Sequence, residues 1–469
     1  MDAVAQEIPL TISPWPRPKP IIGNALDIPS EMPWVKYLEW SKQFKSDIIY
    51  LSAMGVHIVV LHKLEDITEL FEKRSANYSS RPWVPTAQLL GVDNITPLRP
   101  YSSEWRKQRL IFHEGLKKET IPLYHRLYTD KVHLFTDLLI REPDNFEDHC
   151  KWLSVAITMS MTFGLNIAVG EMKNHYVDLQ EQIMTATTQL CHPGGTLINS
   201  FPILRHVPVW FPGAVTQRRA ADVKKIVTMP TDQPFDDVKK SLLAGTSKEC
   251  VLTRLLHDRL ANDGTILEDE DELKDVLISI YMAGTETTQV TQLFFIFAMV
   301  LHPLVQRRAQ AELDRVVGTD RLPTFDDRPL LPYIDAILRE TLRWRTAVPL
   351  ALPHVTVKDD FMFQYRGARF GEWVGDLSRR NDFENPEVFN PDRFLNLDGT
   401  LKDNTVEVAY GYGRRICPGR FMANDVLWMM MVSVLSTSNI SKAKDENGVD
   451  IEVDRNVLSS GITWYVMYS

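Results

Sequence analysis

The sequence has little cysteine and no long apolar run. Its four cysteines stand at positions 150, 191, 250 and 417 of 469 residues. They are too sparse for a disulfide framework and lack the paired spacing of zinc sites, so they indicate single thiols in a reducing compartment. The longest apolar run, Leu293 to Leu301, has nine residues, about half of the ~18 that a membrane-spanning helix needs.

An N-terminal signal and an excess of positive charge are also missing. The start of the chain, MDAVAQEIPLTISPWP, has no basic residues and no apolar core, which excludes a secretory signal peptide. The net charge is −9, from 52 basic and 61 acidic residues. That balance argues against non-specific binding of nucleic acid, which requires a basic surface.

The hydrophobic pattern predicts a mainly α-helical fold with a small β region. Helices are expected at 34–44 and 64–75, and short strands at 48–53 and 57–62. A mostly helical region follows from about 103 to 345, and residues 350–410 are expected to be irregular. Residues 1–25 form a Pro-rich segment without a membrane anchor. The length suggests about three domains, but no linker divides the rest, so we expect one domain over residues 26–469.

One helix is predicted to be very long. The acidic residues 268–272 suit a helix N-terminus, and Pro303 suits its end, which leaves about 33 residues, or about 50 Å of helix. Its buried stripe carries Gly284, Thr287, Thr288 and Thr291 where aliphatic side chains are expected. Such a break in the pattern indicates either a kink that serves packing or a functional site.

The segment from Tyr410 to Arg420, YGYGRRICPGR, is the most informative in the chain. Pro418 suits the first turn of a helix predicted at 419–436, so Cys417 is expected at its N-cap. There the helix dipole and the arginines would lower the pKa of the thiol. The glycines would let the backbone approach a large flat group. A thiolate on such a loop suits an axial ligand of haem iron; the alternative is a buried structural cysteine.

A third helix carries a charged pair. In LPYIDAILRETLRW, Glu340 and Arg343 stand three positions apart, so their side chains can touch. Taken alone, this pair is expected to be a surface ion pair worth at most ~1 kcal/mol.

Together these segments resemble the cytochrome P-450 family of haem-thiolate monooxygenases over residues 15–460. Five motifs in the family's order and spacing carry the likeness. They are Trp105-x-x-x-Arg109, AGTETT from Ala283 to Thr288, Glu340-x-x-Arg343, PDRF from Pro391 to Phe394, and the Cys417 loop, with Tyr410 where the family usually has Phe. The runs WFPGA and YMAGTETT are most similar to fungal members of secondary metabolism. The resemblance implies a long central helix over a buried haem.

The resemblance also implies how the cofactor, haem b, would be held. Cys417 would be the ligand of the iron. The haem propionates would be bound by Trp105, Arg109, His354 and Arg415. For each of these the alternative is a surface or structural role.

Two further groups of residues take roles from the resemblance. A structural triad that braces the Cys417 loop would consist of Glu340, Arg343 and Arg393. In the central helix, Gly284 would leave room for O₂, Thr287 would hydrogen-bond to the oxygen, and Glu286 would connect that position to solvent through water.

The implied substrates are O₂ and a hydrophobic small molecule, such as a terpenoid or polyketide, which would be hydroxylated or epoxidised. No Gly-rich dinucleotide fingerprint stands between a strand and a helix, so we expect electrons from an NADPH-cytochrome P-450 reductase. It would dock on a basic face near Arg106, Lys107, Arg414 and Arg420. The substrate pocket is expected near residues 83–92, 201–211, 280–287, 347–352 and 459–462.

We expect a monomer that binds no nucleic acid. The family implies a location at the surface of the endoplasmic reticulum membrane, through peripheral contact because the sequence has no spanning segment; a cytoplasmic protein is the alternative. The segment 365–376 and the C-terminus depart from the family pattern. Other readings are therefore a haem-thiolate isomerase or dehydratase that uses no O₂, a haem-binding protein without turnover, and, more remotely, a non-haem thiol enzyme.

Overall fold

The computed structural model describes residues 16–29, 32–168, 175–191, 195–358, 383–403 and 407–453, together with the backbone of 370–374. Helices dominate and strands are few, so the predicted fold class is confirmed. The α-helices are α1 (Pro33–Phe44), α2 (Leu64–Thr68), α3 (Ser75–Tyr78), α4 (Pro85–Leu90), α5 (Ser103–Leu116), α6 (His125–Arg141), α7 (Phe146–Phe163), α8 (His175–Cys191), α9 (Leu197–Ser200), α10 (Val215–Ile226), α11 (Met229–Leu243), α12 (Val251–His257), α13 (Glu270–Leu301), α14 (Pro303–Val316), α15 (Pro332–Trp344) and α16 (Arg420–Thr437).

The β region is one small mixed sheet. Its strands are β1 (Ile48–Ala53), β2 (Val56–Leu61), β3 (His354–Val355) and β4 (Phe370–Val374), in the order β1-β2-β4-β3. The outer pairs are antiparallel, and β2 and β4 are parallel. The two strands predicted from the alternating pattern are confirmed. The prediction that residues 350–410 are irregular missed β3 and β4. The strand β3 is only two residues long and carries no periodic signal, and β4 lies among Gly-containing residues that predict turns.

The long helix α13 crosses the core as predicted. It begins with three acidic residues, as the helix dipole favours, and ends before Pro303. One buried apolar cluster runs from Trp34 on α1 to Leu435 on α16 and includes apolar side chains along α13 from Leu273 to Met299. Among the described helices, none is by itself long and apolar enough to cross a membrane; α13 and α14 meet that test only as a pair, which is bent by 103°.

The segment predicted as one helix over 64–75 is divided. Helix α2 ends at Thr68, and a wider π-helical turn follows over Glu69–Lys73. Against this turn lies Gly413, at a positive φ of 51°; a Cβ there would stand 2.0 Å from the carbonyl oxygen of Phe71. Only glycine fits, so Gly413 serves contact with the protein's own backbone rather than with a flat ligand. The Cys417 loop is thereby packed against the sheet side of the molecule.

The pair of Glu340 and Arg343 is buried, and the expectation of a surface ion pair is wrong. The two side chains are 0% and 2% exposed, and Arg343 Nε lies 2.6 Å from Glu340 Oε2. Arg393 Nε lies 3.4 Å from Glu340 Oε1, which also accepts from the Asn390 amide at 2.7 Å. Arg343 Nη2 donates to the Pro386 carbonyl at 2.9 Å. One carboxylate thus joins α15 to the segment that leads toward the Cys417 loop.

Replacing Glu340 by Gln is expected to lower the free energy of unfolding by about 3 kcal/mol or more, because it leaves buried guanidinium charge uncompensated. Urea unfolding under identical conditions measures the change. The matched control is Glu39→Gln, since Glu39 forms an i, i+3 pair with Lys36 at 2.8 Å but is 58% exposed. That change should cost less than about 1 kcal/mol. Equal losses in both variants would show that burial of the Glu340 pair does not matter.

Candidate active site

Helix α13 has an open face in the middle of the core. Ala283 is exposed and Gly284 and Thr287 are partly exposed, although the turns before and after them are buried. Because Ala283 and Thr287 are four positions apart, they lie on the same side of the helix. The neighbouring described elements therefore leave an opening beside this turn. The sequence pattern predicted a role for Thr287 but not for Ala283. Ala283 could have been found from its position four residues before Thr287, which places both on the same face of the helix.

The hydroxyl groups of this turn are held by the helix itself. Thr287 Oγ1 donates to the Ala283 carbonyl at 2.8 Å, and Thr291 Oγ1 donates to the Thr287 carbonyl at 2.8 Å. A Cβ on Gly284 would stand 3.5 Å from Thr158 Oγ1 on α7, an ordinary contact distance. Gly284 thus faces α7 closely, and its role in leaving room for O₂ stays a prediction.

The carboxylate of Glu286 points toward helix α8. Glu286 is only 4% exposed, and Gln180 Nε2 on α8 donates to Glu286 Oε2 at 2.8 Å. Glu286 is therefore adjacent in sequence to Thr287 but turned to the buried side of α13. The predicted water connection from Glu286 to solvent stays a prediction.

Cys417 lies in the turn before α16, not at its N-cap. The cap residue is Gly419, and the Cys417 amide donates to the Tyr410 carbonyl at 2.7 Å. The predicted lowering of the thiol pKa is also wrong for the protein alone. Burial raises the pKa of Cys417 and outweighs the Gly419 amide and the guanidinium groups of Arg109 and Arg420, which act to lower it. A metal ion that displaces the proton would find these charge-stabilising groups already in place.

Arg415 lies two residues before Cys417 and is surrounded by backbone oxygens. It donates to the carbonyls of Ser79 at 2.6 Å, Thr96 at 3.2 Å and Arg99 at 2.9 Å. The guanidinium carbon stands 4.2 Å from the centre of the Trp105 ring. Burial, together with neighbouring guanidinium groups, lowers the pKa of Arg415 to about 8. The sequence motifs of α5 and of the Cys417 loop therefore meet in space.

Arg81 is part of the same site and was missed. It is 8% exposed and donates to the carbonyls of Pro97, Leu352 and Pro353 at 2.8–2.9 Å. Burial lowers its pKa to about 9. Arg81 stands in a short stretch without a periodic pattern or motif, so nothing in the sequence distinguishes it from a surface arginine.

His354 on β3 lies next to these arginines and is uncharged. Its Nδ1 lies 2.6 Å from the Tyr78 carbonyl, which fixes the proton on that nitrogen. Burial, with the positive charges of Arg81 and Arg415, holds the pKa of His354 well below its usual range. The structure thus brings His354, Arg415 and Trp105 together, as the motifs implied.

The arginines near Cys417 carry positive charge that no nearby carboxylate neutralises in the described structure. Within the described part of the chain, Arg81, Arg109 and Arg415 have no carboxylate within ion-pair distance, and burial lowers the pKa of Arg109 as well. The indole N–H of Trp105 is buried without a hydrogen-bond partner. Buried unpaired charges and donors are costly and uncommon in native proteins. The residues therefore fit a ligand with more than one anionic oxygen, such as the two propionates of haem.

Comparison with known proteins agrees with this geometry. The sequence model of the cytochrome P450 family matches residues 13–460. The chain belongs to the cytochrome P450 family. Family membership implies a haem with cysteine thiolate ligation, O₂ and a redox partner as reactants, and small-molecule substrates; the chain is a monooxygenase of the oxidoreductase class.

The similar curated proteins are fungal. Cytochrome P450 monooxygenase COX1 of Coprinopsis cinerea is 35% identical, over 97% of this chain and 89% of that protein. Cytochrome P450 monooxygenase ple1 of Rhodocybe pseudopiperita is 35% identical, over 95% and 86%. Tryptamine 4-monooxygenase of Psilocybe cyanescens is 31% identical, over 93% and 87%. The predicted likeness to fungal members of this P450 family is confirmed.

Proposed function

We propose that this P450 hydroxylates or epoxidises a hydrophobic small molecule of secondary metabolism, with electrons from an NADPH-dependent P450 reductase. The proposal rests on one observation. The loop that carries Cys417, together with its neighbours in space, also carries Arg81, Arg109 and Arg415, whose positive charges have no carboxylate partner among the described residues. A thiol on one side and anion-binding groups on the other suit a ligand that is both a metal complex and a dianion. The fungal relatives, one of them named for oxygenating tryptamine, support the substrate class.

Haem b would be held from two sides. Cys417 would ligate the iron, and charge-assisted hydrogen bonds to the propionates would come from Trp105, Arg81, Arg109 and Arg415. His354 would join them only as an imidazolium, because the single proton of its neutral ring is held by the Tyr78 carbonyl. Haem with a thiolate ligand, when bound, activates O₂ so that one oxygen atom can be inserted into the substrate. The buried ion pairs of Glu340 would brace the segment before the Cys417 loop, so that the thiol keeps its position.

The open turn of α13 would supply and position protons. The Thr287 hydroxyl now donates to its own helix at 2.8 Å, and by rotating it can donate to oxygen in the opening. Glu286, the preceding residue, is held by Gln180 on the buried side of α13, so it would replace the proton that Thr287 passes on through intervening water. The apolar walls of the opening would exclude bulk water.

The reductase would dock on the side of the molecule that carries Arg106, Lys107 and Arg414, which are exposed. Arg106 and Arg414 both stand over the Tyr101 ring, at 5.7 and 5.4 Å. Lys107 contributes less net charge, because it pairs with Asp269 at 2.7 Å. Positive charge at this face would complement an acidic partner and speed encounter.

Replacing Thr287 by Ala is expected to lower product formation about tenfold or more while NADPH consumption continues, since removing a positioned proton donor typically costs 10²–10⁴-fold. The lost electrons should leave as hydrogen peroxide. Peroxide and product are measured per NADPH consumed, with a chosen substrate and reductase. Thr291→Ala is the matched control, because Thr291 makes the same bond to its helix but is buried. Fully coupled turnover in the Thr287 variant would contradict the role.

A second proposal concerns the surface around α9 and the start of α10. The segment 201–211 was expected to line the pocket, but its large apolar side chains are exposed, among them Ile203 at 75% and Trp210 at 76%. Leu197 at 69% and Val215 at 64% extend the patch. Exposed apolar patches rimmed by polar groups mark interaction surfaces. We propose that this patch makes the peripheral membrane contact, with the exposed Arg218 and Arg219 toward anionic headgroups.

Replacing Ile203 and Trp210 together by Ser is expected to weaken binding to anionic phospholipid vesicles at least about tenfold, because each buried apolar side chain contributes roughly 1.5–3 kcal/mol. Vesicle flotation measures the bound fraction. The control is Leu397→Ser, at another fully exposed apolar position outside the patch. Equal binding of all three proteins would rule out this patch as the membrane contact.

A further inference from the structure

A buried polar cluster lies between α13, α5 and the segment 94–99, here called the 94–99 loop. Asp275 and Ser279 stand one turn apart on α13, and Gln108 faces them from α5. Ser279 Oγ accepts from the Thr96 amide at 3.0 Å and donates to the Asp275 carbonyl at 2.6 Å. Thr96 Oγ1 donates to Gln108 Oε1 at 2.8 Å. The middle of the loop is therefore fixed by side chains of two helices.

A single carboxylate oxygen holds both ends of the loop. Asp275 Oδ2 accepts from Arg99 Nη1 at 3.3 Å, at the end of the loop. The same oxygen accepts from Gln108 Nε2 at 3.1 Å, and that amide also donates to the Asn94 carbonyl at 3.0 Å, at the start of the loop. Asp275 is therefore bound to the end of the loop through Arg99 and to its start through Gln108.

The loop in turn holds two arginines of the candidate active site. Its carbonyls at Thr96 and Arg99 accept from Arg415 at 3.2 and 2.9 Å. Its carbonyl at Pro97 accepts from Arg81 at 2.9 Å. A shift of the loop would therefore move both guanidinium groups together.

We propose that Asp275 is a positioning residue that, through the 94–99 loop, fixes Arg81 and Arg415 for the cofactor, and that its negative charge is needed for this. The assignment of the two arginines to the cofactor rests on the proposed function. The connection from Asp275 to the loop rests only on the contacts above. An amide in place of the carboxylate keeps the shape, but its oxygen is a weaker acceptor and carries no negative charge to balance Arg99.

The charge of Asp275 sits in an environment that opposes it. Burial raises its pKa to about 6; Glu272 and Asp271 on its own helix and Asp93 before the loop act in the same direction, and only Arg99 acts to lower it. A carboxyl whose pKa is raised in the folded state destabilises the fold while it is ionised, above about pH 6, and the fold gains stability as pH falls through that value. When Asp275 loses its charge, the 94–99 loop should therefore be held less firmly, while the free energy of unfolding of the whole protein should rise.

The first experiment follows haem transfer from the holoprotein to apomyoglobin between about pH 5 and 8. Wild-type haem loss should become about tenfold faster as pH falls through about 6. Asp275→Asn should lose haem about tenfold faster already at neutral pH, with a flat profile, and Asp275→Glu should restore the wild-type profile. The matched control Asp271→Asn removes an exposed charge one turn away and should keep the wild-type rise in haem loss, shifted to lower pH because the Asp271 charge helps to raise the pKa of Asp275. A wild-type pH profile in Asp275→Asn would overturn the proposal.

The second experiment uses the haem-free protein. It therefore tests the connection from Asp275 to the 94–99 loop even if the proposed haem binding is wrong. In Asp275→Asn, amide hydrogen exchange in the 94–99 loop should become about tenfold faster at neutral pH, while the urea midpoint rises or stays the same. A purely structural role predicts a lower midpoint and faster exchange throughout the core, which would overturn the proposal. If that variant does not fold, Ser279→Ala should release the Thr96 amide alone; unchanged exchange there would equally overturn it.

Discussion

The fold has to accommodate three guanidinium groups for which the described part of the chain supplies no carboxylate within ion-pair distance. Arg81 and Arg415 are bound by backbone carbonyls from three separate segments, and the Arg109 guanidinium acts on the Cys417 thiol. Carbonyl dipoles satisfy the N–H groups but leave net positive charge. Interior charge of this kind is costly unless an anion neutralises it. A haem propionate pair beside a thiolate ligand, as we propose, would neutralise this charge and give the Trp105 N–H, which has no partner in the described structure, an acceptor.

The same interior shows how a buried arginine is handled when it serves structure alone. Arg343 and Arg393 converge on Glu340, whose carboxylate also accepts from a backbone amide. That cluster therefore has a carboxylate in direct contact with both guanidinium groups, although one positive charge remains. The two clusters differ in this respect: Arg343 and Arg393 share a carboxylate, whereas Arg81, Arg109 and Arg415 have none within ion-pair distance among the described residues. The Asp275 cluster links the second of these to the central helix.

Features with a local signature could be predicted from the sequence. Helix α13 was placed to within one residue at each end by its acidic first turn and Pro303, and the Glu340–Arg343 contact followed from helical spacing. Features that arise from distant segments could not be predicted. Arg81 belongs to no sequence motif. Position 413 must be glycine because a Cβ there would collide with the backbone of Phe71, more than three hundred positions away. The burial of Cys417 raises the thiol pKa, whereas its local charges led us to expect a lower one. Each depends on what the folded chain places nearby.

The measurement that tests the account most directly is the carbon monoxide difference spectrum of the reduced protein, recorded for the wild type and for Cys417→Ser. The account predicts a thiolate-type ferrous–CO band in the wild type and its loss in the variant. A wild-type protein without that band, or a variant that keeps it unchanged, would contradict haem-thiolate ligation by Cys417.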